Sequence, residues 1–332
     1  VSRGLGDVYK RQENALRVFR REKPEWLPRF EKCMKGYFPK SINERPLNWE
    51  GDDWFGIHWV PDASTNGLTA PAPGQAVIRD PERWREQLAL PDLEAIDWAA
   101  EAEGFRAAQS PERLSMIMME MGIFERYQLL LGFEDALCSF YEYPDEAGEI
   151  LEALTQFKLQ LVDRIMEHLK PDVVMYMDDL GTQNAPLVAP ALWAEFIRAR
   201  DMRIFRAIHD AGALVVYHCC GKIDTFFDQI VTMGADAYHS VQPANDTAML
   251  KRVYGDQIVL IGGIDNQGIT NQPGASEADI RAEVRRAIDA FAPGGGYICG
   301  DTDGICVVKR ALDIIQDEYE VYGRHYYERH PL

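Results

Sequence analysis

The chain has 332 residues, 46% of them hydrophobic, and a formal charge of −18. That is enough apolar material for one large core, and the acid excess excludes nucleic acid and anionic membrane surfaces as partners, because both bind through clustered Lys and Arg. No run approaches the ~18 apolar residues of a bilayer-spanning helix, and six cysteines with an adjacent pair at Cys219 and Cys220 predict reduced thiols in a cytoplasm rather than a secreted disulfide framework.

Residues 7–12, Asp-Val-Tyr-Lys-Arg-Gln, are what GAT GTG TAT AAG AGA CAG encodes, a string that resembles the transposon end used to build sequencing libraries. Residues 1–12 are therefore read as an adapter scar ahead of a single domain over 13–332. A helical stretch comes next, followed by a short apolar run at 26–30 that is a candidate strand. Residues 37–110 are irregular and rich in Trp, Pro and Gly, and read as an insertion covering one end of the fold. Beyond them, β-rich runs at 114–119, 173–177, 214–219, 237–241, 258–262 and 297–299 alternate with amphipathic patterns at 144–169, 190–211 and 277–291. This alternation predicts an α/β fold, a (β/α)8 TIM barrel with an irregular N-terminal insertion, in which seven strands are placed and the eighth is not. A doubly wound open sheet is the alternative, but no Gly-rich nucleotide fingerprint follows a first strand to support it.

Polar residues gather where the predicted strands end, the face on which barrels carry their active sites. They are Glu120, Asp178 with Asp179, His218 with Cys220, His239 with Gln242, Asp265, and Cys299 with Asp301. Side-chain alternation along 213–221 puts Val216, His218 and Cys220 on one face, and Tyr217 and Cys219 on the other. His218 and Cys220 can then clasp one ion, and Cys299 offers a second thiolate from another strand end. Two thiolates and a neutral imidazole balance the charge of Zn2+, and three protein ligands leave one position open, as in catalytic rather than structural zinc sites. A strand-end His is more often a hydrogen-bonded structural residue and Cys299 could be a small buried hydrophobe; the shared strand-end placement favours the metal. Asp179 is the candidate catalytic proton acceptor. Asp178, Glu120, His239, Gln242 and Asp265 are candidate substrate contacts, with a helix cap as the other role for Asp178.

These residues resemble the uroporphyrinogen decarboxylase-like superfamily. The resemblance rests on Ala15-Leu-Arg-Val-Phe-Arg-Arg-Glu-Lys-Pro-Glu-Trp-Leu-Pro28, Asp178-Asp-Leu-Gly-Thr-Gln183, residues 190–196, His218-x-Cys220-Gly221 and Gly262-Gly-Ile-Asp265. Within it, His218-x-Cys220 followed by Cys299 is similar to the His-x-Cys…Cys zinc signature of the corrinoid-dependent methyltransferases, of the methylcobamide:coenzyme M methyltransferase and O-demethylase type. The Arg-Gln-Ala-Gly-Arg-Tyr segment of true decarboxylases, whose arginines hold porphyrinogen carboxylates, is replaced here by Arg29-Phe-Glu-Lys-Cys-Met-Lys-Gly-Tyr37, and their late His-Gly-Ile by Asp303-Gly-Ile305.

The resemblance implies a zinc-dependent transferase that moves a methyl group between a small methyl ether or thiol and a cobalt corrinoid. An Asp-x-His-x-x-Gly corrinoid motif is not found, since Ile208-His-Asp-Ala-Gly212 lacks the acid two residues before its His, so the cobalamin is expected on a separate corrinoid protein. A homodimer is an open option. The alternative is a metal-free lyase of the decarboxylase type.

Overall fold

The computed structural model describes residues 5–47, 49–62, 68–301 and 308–332, with side chains from Arg11 onward and without that of Asp301. Ten strands occur among them: β1 (Met34–Tyr37), β2 (Gly51–Asp52), β3 (His58–Pro61), β4 (Thr69–Pro71), β5 (Leu114–Met119), β6 (Val173–Met177), β7 (Leu214–His218), β8 (Ala237–Val241), β9 (Val259–Ile264) and β10 (Tyr297–Asp301). Seven form one curled sheet in the order β1-β5-β6-β7-β8-β9-β10. Every pairing in it is parallel, as expected of strands joined by helical crossovers.

The gap between β10 and β1 is spanned by residues 28–33. Cys299 N donates to Pro28 O at 2.9 Å, Arg29 forms a single parallel bridge to Cys299, and the short helix Phe30–Cys33 runs directly into β1. The strand expected at 26–30 is thus only a bridge. The one left unplaced is β1, whose four residues, Met-Lys-Gly-Tyr, carry too short a pattern to announce a strand.

Alternation on the strands divides the core in two. Met116, Val173, Met175, Val216, Ala237, Val259, Ile261 and Ile298 fill the barrel interior, whereas Val174, Tyr176, Val215, Tyr217, Tyr238, Leu260 and Tyr297 pack outward against the helices. Those helices include Ile123–Leu131, Pro144–His168, Ala199–Asp210 and Glu277–Phe291. Among the described residues no helix is long and apolar enough to cross a membrane.

The segment expected to be irregular is more ordered than its composition suggests. It holds the antiparallel sheet β2-β3-β4 and the helix Trp98–Ala108, which Asp97 caps by accepting from Ala100 N and which buries Trp98, Glu101, Ala102 and Phe105. That spacing is one helical face, but the run is only three turns long.

Candidate metal centre

The strands β5 to β8 end in inward-facing polar side chains. His218 closes β7 in register with His239 of β8, and each lies two residues beyond an interior residue, Val216 and Ala237. Their outward neighbours include Tyr217, Cys219, Tyr238 and Val241. His218, Cys220 and His239 therefore meet at one mouth, while the Cys219 thiol turns away and accepts a hydrogen bond from Leu180 N at 3.2 Å.

Asp179 reaches the same point from the end of β6. Its Oδ1 lies 3.6 Å from His218 Nε2 and accepts from Cys220 N at 2.6 Å, and Cys220 Sγ is 3.3 Å from His218 Nε2. One ligand atom from each of Asp179, His218 and Cys220 lies within 4.8 Å of the other two. The loops that carry them are clamped backbone to backbone. Lys222 N donates to Thr182 O at 2.8 Å, and a Cβ on Gly221, whose φ is +82°, would sit 2.4 Å from the Gly181 carbonyl carbon.

Burial pushes the Cys220 thiol well above its ordinary value, and the carboxylates of Asp179 and Glu125 push the same way. Burial also lowers His218, and lowers His239 well below the usual imidazole value with His218 beside it. Burial thus favours the neutral form of both rings and disfavours the thiolate form of Cys220. A divalent cation would remove that conflict by stabilising thiolate and carboxylate together, and a set of one nitrogen, one sulfur and one oxygen donor suits zinc.

Cys299 does not join this group. On β10 it is Ile298 that lies in the interior cluster, and Cys299 is fully buried in the outer core with Tyr297 and Tyr319. The alternation that turns Cys219 away turns Cys299 away as well, and the third donor-bearing side chain beside His218 and Cys220 is Asp179. Cys306 and the Asp303-Gly-Ile305 segment lie outside the described residues.

The remaining expected contacts divide between positioning and lining roles. Asp178 is fully buried and accepts from Phe124 N at 3.1 Å and Glu125 N at 2.8 Å, so it caps the helix Ile123–Leu131 rather than facing the mouth. Gln242 holds the Cys220 loop: its Oε1 accepts from Gly221 N at 2.8 Å, and its side chain hydrogen-bonds the Cys220 thiol. Asp265 accepts from Gly268 N at 2.7 Å at the end of β9 and lines a cavity of about 140 Å3 with Gln242 and Gln183. Glu120 pairs with Arg45 at 2.8 Å and faces a cavity of about 360 Å3 with Met118, Phe38 and Trp49. His239 lies against His218, Nδ1 to Nδ1 at 2.6 Å.

Two residues of the mouth were not legible as strand ends. Glu125, in the first turn after Gly122, accepts from the Asp179 backbone. Arg45, from the insertion, borders both the 360 Å3 cavity and a second of about 720 Å3 lined by Trp59, Met121, Glu125, Gln128 and Phe133. Neither lies on a strand, so counting strand ends passes over both.

The sequence profile of the family described as uroporphyrinogen decarboxylase (URO-D) matches residues 55–307. A Bordetella petrii protein named uroporphyrinogen decarboxylase is 27% identical over 290 residues, which is 80% of this chain and 76% of that protein. A solved methyltransferase from Methanosarcina mazei shares the fold with a TM-score of 0.66, at 16% identity, over 93% of this chain and 99% of that one. The profile match runs from the insertion through the loops after β6 and β7 to the last strand of the barrel, and on that match the chain belongs to the uroporphyrinogen decarboxylase (URO-D) family.

Proposed function

We propose that this enzyme is a methyltransferase that holds one zinc ion between His218, Cys220 and Asp179. It moves a methyl group between a small methyl ether or thiol and the corrinoid of a separate protein. The observation that carries the reading is the meeting of an imidazole, a thiol and a carboxylate within 4.8 Å at the mouth of the barrel. Neutral His218 with ionised Cys220 and Asp179 would match the charge of Zn2+ and leave one coordination position for substrate. A zinc ion held there supplies Lewis acidity, which favours the anion, thiolate or alkoxide, that takes part in methyl transfer. The likeness to the His-x-Cys signature of corrinoid-dependent methyltransferases and the fold shared with the M. mazei methyltransferase support the choice of reaction.

The rest of the site serves binding. Gln242 holds Cys220 through Gly221 N and through the thiol. The 720 Å3 cavity, walled by Trp59, Met121 and Phe133, is of a size to take the body of a small organic substrate. Glu125 stands on its wall and joins it to the Asp179 backbone.

A metal-free decarboxylase is the second reading, favoured by the name of the B. petrii relative. Against it, the region in which decarboxylases carry two arginines has Arg29 alone. Arg29 is engaged by Glu31 at 2.7 Å and by Gln316 at 3.0 Å. Metal analysis of protein isolated without chelator separates the two. The methyltransferase reading expects about one zinc per chain, lost in Cys220→Ser and His218→Ala and kept in Cys219→Ser and Cys299→Ser; less than about a tenth of an equivalent in the unmodified protein would refute it.

A further inference from the structure

His218 and His239 sit side by side on parallel strands in register. Both are 6% exposed, their ring centroids are 4.9 Å apart, and the rings are tilted by 33°. His239 is in turn stacked on Phe30, at 5.0 Å between centroids and 25° between planes, so its orientation is set from a second side. The two Nδ1 atoms approach to 2.6 Å. At that separation the two nitrogens hold a single hydrogen between them: two would collide, and none would set lone pair against lone pair.

The other nitrogen of His218 decides which ring owns that hydrogen. Its Nε2 is the atom 3.3 Å from Cys220 Sγ and 3.6 Å from Asp179 Oδ1. A nitrogen that gives its lone pair to a cation carries no hydrogen, so neutral His218 must bear its hydrogen on Nδ1 and donate it to His239 Nδ1. His239 must then keep its own hydrogen on Nε2. Only one arrangement of protons is compatible with a cation beside His218 Nε2, and His239 is the acceptor that selects it.

We infer that His239 is the positioning residue of the metal centre, fixing the tautomer and ring orientation of His218 and touching neither substrate nor metal; this rests on the metal reading above. The task commonly falls to a carboxylate or a backbone carbonyl. A neutral imidazole suits this mouth, where Asp179 and Glu125 already bear on Cys220 and a third carboxylate would further oppose the thiolate. The role also accounts for Phe30, at the start of the helix that leads into β1: it packs against a ring whose angle determines that of His218.

The test is titration of metal-free protein with Zn2+ against a chromophoric chelator, on the unmodified chain, His218→Ala, His239→Phe and His239→Asn. Asparagine places Oδ1 close to where Nδ1 stood and can accept the same hydrogen, whereas phenylalanine keeps the stacking on Phe30 and has no acceptor. His239→Phe should bind zinc about 10- to 100-fold more weakly, and His239→Asn should recover most of the affinity. The thermal midpoints of the two metal-free variants should stay close to each other. If the phenyl ring is not accommodated, His239→Leu replaces it. Unchanged affinity in His239→Phe would overturn the inference and leave the metal reading intact, as would equal loss in the phenylalanine and asparagine variants. If the unmodified chain binds no zinc, or if His218→Ala binds it as well as the unmodified chain does, the metal reading itself fails and the inference falls with it.

Discussion

Asp178 and Asp179 are adjacent carboxylates with opposite surroundings. Asp179 is partly exposed at the mouth, whereas Asp178 is enclosed and its carboxyl is pushed up to about 7 by burial, against the hydrogen bonds from Glu125 N and Phe124 N. A folded value above the unfolded one of ~3.9 means that the native state binds this proton more tightly. The stability contributed by protonated Asp178 is therefore complete below about pH 4 and is lost as pH rises to about 7. Asp178→Asn keeps one acceptor for the helix and cannot titrate. The thermal midpoint of the unmodified protein minus that of Asp178→Asn should fall across that interval, and a difference independent of pH would contradict the assignment. Single residues were legible in the sequence where an apolar neighbour fixed the phase of alternation. Val216 set His218 and Cys220 inward and Cys219 outward. Around Cys299 the neighbours are Gly295, Gly296 and Gly300 with Tyr297 and Ile298, either of which could face inward, so the pattern leaves the phase open, and the structure packs Cys299 with the outer core.

At the scale of elements, the candidate metal centre depends on two loops, after β6 and β7, that touch without side chains between them. Gly221 has φ +82°, and a Cβ there would lie 2.4 Å from Gly181 C and 2.5 Å from Gly181 O. Gly221→Ala would pay about 1–2 kcal/mol for the left-handed backbone and would also force the loops apart, taking Asp179 from His218. Zinc affinity should fall by at least about tenfold, the loss expected for a misplaced ligand shell. The far-UV circular dichroism should stay that of the native barrel, because the strands themselves are untouched. Equal affinity in Gly221→Ala would show that Asp179 is not held by this contact. The longer elements were readable: 144–169 and 277–291 appear as Pro144–His168 and Glu277–Phe291. Residues 190–211 form one rod interrupted by a π-turn over Ala194–Arg198, which hydrophobic spacing does not reveal. Short pieces such as β1 carry too few residues for a period to show.

At the scale of the whole molecule, the insertion is fastened to the barrel by charge. Glu44 and Asp53 come from the insertion, Arg126 and Lys158 from barrel helices, and all four are buried. Arg126 pairs with Asp53 at 2.6 Å and with Glu44 at 3.0 Å, and Lys158 pairs with Glu44 and donates to Glu120 O at 3.1 Å. This network joins the segment that supplies Arg45 to the end of β5 that supplies Glu120, so the shape of the mouth depends on it. The sequence could not disclose it, because charged residues are ordinarily solvated and these four are scattered across more than a hundred positions. Arg126→Met keeps the bulk of the side chain and leaves Asp53 and Glu44 without their guanidinium. Glu44 keeps Lys158, but stranding the buried Asp53 carboxylate in this way should cost about 3–5 kcal/mol, read as a fall in the urea midpoint at constant slope. Adding Asp53→Asn to Arg126→Met should recover part of that loss, since the stranded charge is then gone. If the double variant is no more stable than the single one, the penalty comes from packing of the arginine stem against Phe55, over which its guanidinium lies at 4.3 Å, and not from the buried charge.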